Sequence, residues 1–281
     1  MSRNGTRRPA GRARARHSAP GRRPAARRRR PRVGVWSFTS CEGCQMGLLD
    51  LEEGIPEVFA RLEVAYFPEA TREESAGPLD LALVEGSITT PQEAERIREI
   101  RARARELWAI GACATAGGIQ ALRNFLHVDE LARLVYASPQ YVETLETSTA
   151  VADHVAVDLE LRGCPLDAGQ LRAALAAFLD GRRLSLPRHA VCLECKERGN
   201  ACVLVAGGQP CLGPATQAGC GALCPAFGRG CFGCFGPMEA ARPEAMRRVL
   251  LSLGLSHEAV TREFRRFAAA APTFAGGGRA P

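Results

Sequence analysis

Twelve cysteines are the residues best able to do chemistry in this chain, and they are spaced unevenly. Eight fall in the 43 residues from Cys192 to Cys234, in the order C-x2-C-x6-C-x8-C-x8-C-x3-C-x6-C-x2-C. The other four, Cys41, Cys44, Cys113 and Cys164, stand far apart in the preceding sequence. Thiols in such number serve as disulfide staples, as tetrahedral zinc ligands or as thiolate ligands of iron–sulfur clusters. Twelve divides into three sets of four, which suits a [4Fe–4S] cubane and a zinc ion equally well. Zinc modules favour two close pairs joined by a modest loop. Among the late eight only Cys192/Cys195 and Cys231/Cys234 are such pairs, each with further cysteines at longer steps beside it. The ferredoxin run C-x2-C-x2-C-x3-C is absent as well. Abundant glycine nearby would let backbone N–H groups approach cluster sulfurs. Residue chemistry favours iron–sulfur and leaves zinc open.

Composition narrows the compartment. With 46% hydrophobic and 24% charged residues the chain is ordinary for a globular protein. No apolar run reaches the roughly 18 residues of a membrane span. Residues 1–30 hold twelve arginines and no acids, so the net charge of +7 belongs to the tail and the remainder is mildly acidic. The tail, residues 1–31, is expected to be disordered. Its paired arginines lack the apolar core that would follow in an export signal. A cytoplasmic, reducing location is therefore expected, which disfavours disulfides.

The elements that must position the cysteines alternate between strand and helix. Val33–Phe38, Leu62–Phe67, Asp80–Val84, Leu107–Ile110 and Val155–Leu161 read as strands. Helical patterns lie between them: one carried by Leu48, Leu49, Leu51, Ile55, Val58 and Phe59, with Gly54 and Pro56 as breakers, then Thr90 to about Glu106, Thr115–Leu122 and His127–Leu134. Asp167–Leu179 follows the last strand. This rhythm implies an α/β fold, a doubly wound, flavodoxin-like parallel sheet over residues 32–186. Cys41 and Cys44 follow the first strand, Cys113 the fourth and Cys164 the fifth. Loops at the carboxyl ends of parallel strands share one edge, so four thiols distant in sequence are expected to converge there. Glu85, after the third strand, is expected on the same rim. Beyond Gly181 the rhythm stops. Residues 187–240 carry ten glycines and the eight late cysteines and cannot build an ordinary core, so a small irregular domain held by its cofactors is expected. Residues 241–281 read as a helical extension, with helices over Glu244–Leu253 and His257–Ala270 and a loose end at Gly276–Pro281.

Six stretches carry a family resemblance: TSCEGCQMGLLDLEE, LVEGSI, AIGACATAGGIQALRN, LRGCPLD, VCLECKERGNACV and CLGPATQAGCGALCPAFGRGCFGCFGP. In this order they resemble the small, electron-transferring subunit of a [NiFe] hydrogenase, in the cytosolic group of sulfhydrogenase delta, NAD(P)-linked and F420-type enzymes. The resemblance spans about residues 32–240. It implies that Cys41, Cys44, Cys113 and Cys164 hold a proximal [4Fe–4S] cluster facing the nickel–iron centre of a large subunit. It further implies a medial cluster on Cys220, Cys224, Cys231 and Cys234 and a distal one on Cys192, Cys195, Cys202 and Cys211. Membrane-linked relatives place a histidine at the first distal position and use three cysteines for the medial cluster. Here Cys192 and Cys224 fill those places, which implies three all-cysteine cubanes serving a flavin or NAD(P)-reducing partner. The 20 kDa subunit of respiratory complex I shares the first fold, but it has adjacent cysteines in its first motif and lacks the late eight.

Around the cysteines, other residues admit plainer readings. Glu85 is either part of a proton path or an acid binding backbone N–H groups of its own loop, the latter preferred. His189 reads as a surface residue, and Trp36 and Trp108 as core. Gly117-Gly118 is expected to let helix and sheet approach closely. The chain shows no catalytic residues of its own, nor a nickel, flavin or nicotinamide site. The competing class is a zinc-stabilised binding module whose basic tail contacts nucleic acid.

Overall fold

Five strands form one parallel sheet: β1 (Arg32–Ser37), β2 (Glu63–Tyr66), β3 (Leu79–Glu85), β4 (Ala104–Ile110) and β5 (Leu159–Leu161). The computed structural model describes residues 29–49, 55–72 and 74–275. Strand order is β2-β1-β3-β4-β5, so the chain reverses its direction of growth between β1 and β3. That is the doubly wound arrangement, and the reversal opens a crevice beyond the carboxyl ends of β1 and β3.

Alternation along each strand builds two cores. Leu81 and Leu83 of β3, with Val33, Val35, Trp108 and Ile110, face Leu48 of α1 (Gly43–Leu49), Val58 of α2 (Ile55–Ala60) and neighbouring helical side chains. Ala82 and Val84, with Leu107 and Ala109, face Ala94, Ile97 and Ile100 of α3 (Pro91–Arg103). Helix α3 starts as its sequence dictates. Thr90 accepts the Glu93 N–H, the Glu93 carboxylate returns to the Thr90 N–H, and Pro91 occupies the first turn. Such a cap contributes about 1 kcal/mol. Each buried isoleucine of the stripe contributes a further ~1.5–3 kcal/mol.

Tertiary context moved several boundaries. Helix α3 stops at Arg103 instead of continuing to Glu106, because Ala104 pairs with Leu79 and Glu106 with Leu81 in the sheet. Only Leu159–Leu161 of the expected fifth strand pairs with β4; Asp158 accepts the Leu107 N–H at 2.8 Å and ends the ladder, while Val155 and Val157 pack onto the core. The pattern at Thr115–Leu122 is not one helix. Helix α4 (Gly111–Ala116) ends where Gly117 turns left-handed, and a 3-10 helix runs from Ile119 to Phe125. Helix α5 (Val128–Val135) follows, and α6 (Ala168–Leu179) buries Leu171 and Leu175 against the α1/α2 face. The tail up to residue 28, Leu51 with the breaker Gly54, and the loose end at 276–281 lie outside the described residues.

After α6 come two short helices, α7 (Val191–Glu197) and α8 (Leu223–Ala226), then α9 (Pro243–Ser252), α10 (His257–Arg265) and α11 (Pro272–Ala275). The last three share a core with Leu212 and Ala215 of the cysteine-rich segment and with Ala116 of α4. Two arginines reinforce that seam: Arg265 lies 3.4 Å over the Phe125 ring and Arg266 5.3 Å over Phe232. Among the described residues no helix is long and apolar enough to cross a membrane.

Candidate metal centre

The crevice beyond β1 and β3 holds the early cysteines. Leaving β1, the chain is clamped to the loop after β3 by paired backbone bonds between Thr39 and Ser87, at 3.2 and 2.9 Å. Cys41 is exposed there, while Cys44 is drawn into the first turn of α1 and buried. The Glu85 carboxylate, itself 1% exposed, accepts the N–H groups of Cys44 at 3.1 Å and Gln45 at 2.8 Å. It therefore binds backbone N–H groups at the start of α1, which follows β1, and not those of its own loop. Burial raises the Glu85 pKa, and these two N–H bonds oppose the rise.

Cys113 lies in α4 instead of a loop, and Cys164 follows β5 with Gly163 at φ +123°. The Ala112 N–H donates to the Gly163 carbonyl at 2.7 Å and joins the two approaches. Glycine is required twice. A Cβ on Gly111 (φ +84°) would stand 2.4 Å from the Cys44 Sγ, and one on Gly118 (φ +64°) 2.6 Å from the Cys113 Sγ. Gly117-Gly118 thus lets the chain fold back over Cys113, where a helix-to-sheet approach was expected. Gln120, on that returning segment, lies 3.5 Å from the Cys113 thiol and donates to the Thr39 carbonyl at 2.9 Å. Three of the thiols sense their neighbours after burial: Cys113 feels Cys164 and Cys41, Cys44 feels Cys113 and Cys164, and Cys164 feels Cys41.

The late eight lie along the cysteine-rich segment and couple to one another. Cys192 and Cys195 sit three apart on α7 and so share a face. With Cys202 and Cys211 they line one apolar hollow completed by Val191, Val203, Leu204 and Pro225. Cys192 is raised by burial and then by Cys211, Cys195 and Cys202. Cys234 is raised by burial and by Cys220, Cys224 and Cys164. Cys231 is raised by burial, by Cys211 and by Cys234. Cys164 and Cys234 adjoin, and the Cys231 N–H donates to the Cys211 Sγ at 3.2 Å. Glu194, between the two α7 cysteines, accepts the N–H groups of Gly219 and Ala222 at 2.8 and 3.1 Å and ties the groups together. Gln120, Glu194 and Gly111 were not singled out from sequence, since nothing about their spacing distinguishes them. His189 is exposed, and Trp36 and Trp108 are buried, as expected.

The donor set fits a cationic, sulfur-rich cofactor. Burial pushes Cys113, Cys192 and Cys234 up to about 11 and also raises Cys44, Cys164, Cys211, Cys220 and Cys231. Such thiols ionise only when a bound metal supplies the compensating charge. Among the described residues no three of His, Cys, Asp or Glu converge tightly enough to hold a single metal ion.

Known proteins resemble this chain over most of its length. The family described as NADH ubiquinone oxidoreductase, 20 Kd subunit, matches residues 41–178, which stops short of the late cysteines. Sulfhydrogenase 2 subunit delta of Pyrococcus furiosus is 36% identical over 237 residues, covering 84% of this chain and 99% of that protein. A component of the vhu F420-non-reducing hydrogenase of Methanocaldococcus jannaschii is 33% identical over 74% of this chain and 82% of its own length. A solved structure of an NAD+-reducing [NiFe]-hydrogenase in the H2-reduced state contains a chain 29% identical to this one. It superposes with a TM-score of 0.52 over 57% of this chain and 96% of that one. The sheet and the cysteine-rich segment are thus those of an electron-transferring hydrogenase component, and the chain belongs to the family of [NiFe] hydrogenase small subunits that includes sulfhydrogenase delta and its counterparts in the F420-non-reducing hydrogenases.

Proposed function

We propose that this subunit carries electrons through three [4Fe–4S] clusters between a large subunit's nickel–iron site and a flavin or NAD(P)-reducing partner in the cytoplasm. One observation carries the proposal: the early cysteines meet the late ones at Cys164 and Cys234, and the late ones continue through Cys231, whose N–H donates to the Cys211 sulfur at 3.2 Å. In this reading Cys41, Cys44, Cys113 and Cys164 hold the proximal cluster. Cys220, Cys224, Cys231 and Cys234 hold the medial one, and Cys192, Cys195, Cys202 and Cys211 the distal one. When bound, each cluster supplies a one-electron couple whose potential depends on burial and hydrogen bonding. The chain's own part is to hold and space the sulfurs, to exclude water from Cys44, Cys211 and Cys231, and to aim N–H groups at the sulfurs of Cys211 and Cys231.

Both ends of the row carry exposed apolar side chains. Met46, Leu49, Ile119, Leu122 and Leu126 follow Cys44 and Cys113, the end assigned to the large subunit. Leu193, Val205, Leu223 and Phe227 stand one or two residues along the chain from Cys192, Leu204 and Pro225 of the far hollow, the end assigned to the acceptor. The same reading divides the chain into an α/β domain at 32–186, a two-cluster domain at 187–240 and a helical extension at 241–281. Anaerobically purified protein is expected to be brown, with about 12 iron and 12 sulfide per chain. Zinc in place of iron, with no labile sulfide, would refute the proposal.

A further inference from the structure

Arg162 occupies the seam between the first two cysteine groups. It follows β5 directly and stands two residues before Cys164. Its guanidinium reaches in three directions. Nε and Nη2 donate to the Glu160 carboxylate at 3.2 and 3.0 Å, on the strand it leaves. Nη1 donates to the Gln217 side-chain oxygen at 3.2 Å and to the Pro237 carbonyl at 3.0 Å. Those two acceptors lie on different segments of the cysteine-rich region, themselves tied by the bond from the Gln217 N–H to the Gly236 carbonyl at 3.0 Å. Pro237 stands three residues after Cys234. The fork thus ties the approach to Cys164 to the segment that leaves Cys234.

A cleft of about 600 Å3 opens beside the fork, and Glu160, Arg162, Cys234, Phe235 and Met238 are among its walls. On the inner side the buried Phe235 ring fills the space over two glycines: a Cβ on Gly163 would meet it at 2.7 Å and one on Gly219 at 3.0 Å. Phe235 supplies bulk and Arg162 supplies register. A lysine would keep the charge but could not reproduce a planar fork that binds three acceptors at once.

We propose that Arg162 is a positioning residue that sets the gap between the proximal and medial cysteine groups and so controls the electron step between them. The proposal rests on the three-cluster reading, and it concerns only how the chain spaces two of those groups. Electron transfer weakens steeply with the gap, so a shift in register slows passage without touching chemistry at the partner's metal site.

The test uses the whole hydrogenase complex with Arg162→Met, Arg162→Lys and Gln217→Ala. H2/D2O isotope exchange needs no electron to travel along this chain, whereas H2-driven reduction of an acceptor dye at the far end does. Arg162→Met is expected to keep its iron and sulfide and its isotope exchange while dye reduction falls about tenfold, as misplacement effects of this kind allow. The magnetic interaction between the two reduced clusters, read by electron paramagnetic resonance, should change in parallel. Arg162→Lys should resemble Arg162→Met, and Gln217→Ala, which keeps the arginine, should lose about threefold. Unchanged dye reduction and unchanged spin interaction in Arg162→Met with full iron would overturn the proposal, as would full rescue by lysine. Should Arg162→Met lose iron, Gln217→Ala decides in the same way: a lowered ratio of dye reduction to exchange supports the proposal, and an unchanged ratio overturns it. Wild-type protein without labile sulfide would instead overturn the three-cluster reading.

Discussion

Glu85 offers a direct measure of how the early cysteine group is held. Its buried carboxylate is the acceptor for two adjacent N–H groups, of Cys44 and Gln45, at the entrance to α1. A hydrogen bond to a charged acceptor is worth about 1.5–3 kcal/mol. Glu85→Gln keeps one acceptor oxygen and turns an NH2 group toward the other N–H, so one bond is lost. It also sheds the burial penalty that raises the Glu85 pKa, which leaves a net cost of about 2 kcal/mol. Glu85→Ala strands both donors in a buried place at about 4 kcal/mol. Hydrogen exchange of the peptide spanning residues 41–49 reads this locally. With a factor of ten per 1.4 kcal/mol, exchange at these amides should quicken about 30-fold in Glu85→Gln and about 700-fold in Glu85→Ala. The amides at the start of α3, bound to Thr90 and Glu93, should not change. Wild-type protection of Cys44 and Gln45 in Glu85→Ala would refute the assignment, because another group would then be holding those donors.

Two further outcomes follow from the geometry. Gly111→Ala adds a Cβ 2.4 Å from the Cys44 sulfur at φ +84°, a conformation that costs alanine about 1–2 kcal/mol before any clash. Iron analysis should show a fall from about 12 to about 8 per chain, with the late groups retained, and full iron content would contradict the packing described. The His154 ring lies 2.7 Å from the Thr149 hydroxyl, and burial lowers its pKa below the ordinary 6.5, opposed by Asp153 and reinforced by Arg98. Its folded pKa is depressed, so its contribution is present above about pH 6.5 and is lost as pH falls through the folded value. Denaturation of His154→Gln across pH 5–8 should therefore show a flatter acid limb than the wild type, and parallel curves would remove His154 from that role.

Residue types and their spacing were enough to point to thiolate chemistry and to establish the class of fold. Thiol count and spacing pointed to metal, and alternating apolar runs specified a parallel sheet, because side-chain periodicity is local and survives without tertiary contacts. Placement of Cys41, Cys44, Cys113 and Cys164 at one edge followed from the same local reading, since any loop after a parallel strand shares that edge. Boundaries needed the folded molecule. Residues 104–106 continue a helical pattern well, yet pairing with Leu79 and Leu81 draws them into β4. The inserted helices were legible only in part, because two glycines with positive φ fold the chain back over Cys113.

What surrounds the sulfurs depended on long-range contacts. Glu85 lies 41 residues from Cys44 in sequence, and its choice of the start of α1 over its own loop depends on β1 and β3 lying side by side. Arg162 carries no motif, and its reach to Gln217 and Pro237 exists only once the cysteine-rich segment folds against the end of β5. The adjacency of Cys164 to Cys234 and of Cys231 to Cys211 has the same origin. The candidate ligands are written in residue type and spacing. The gaps between them are set by contacts among residues that no local pattern connects.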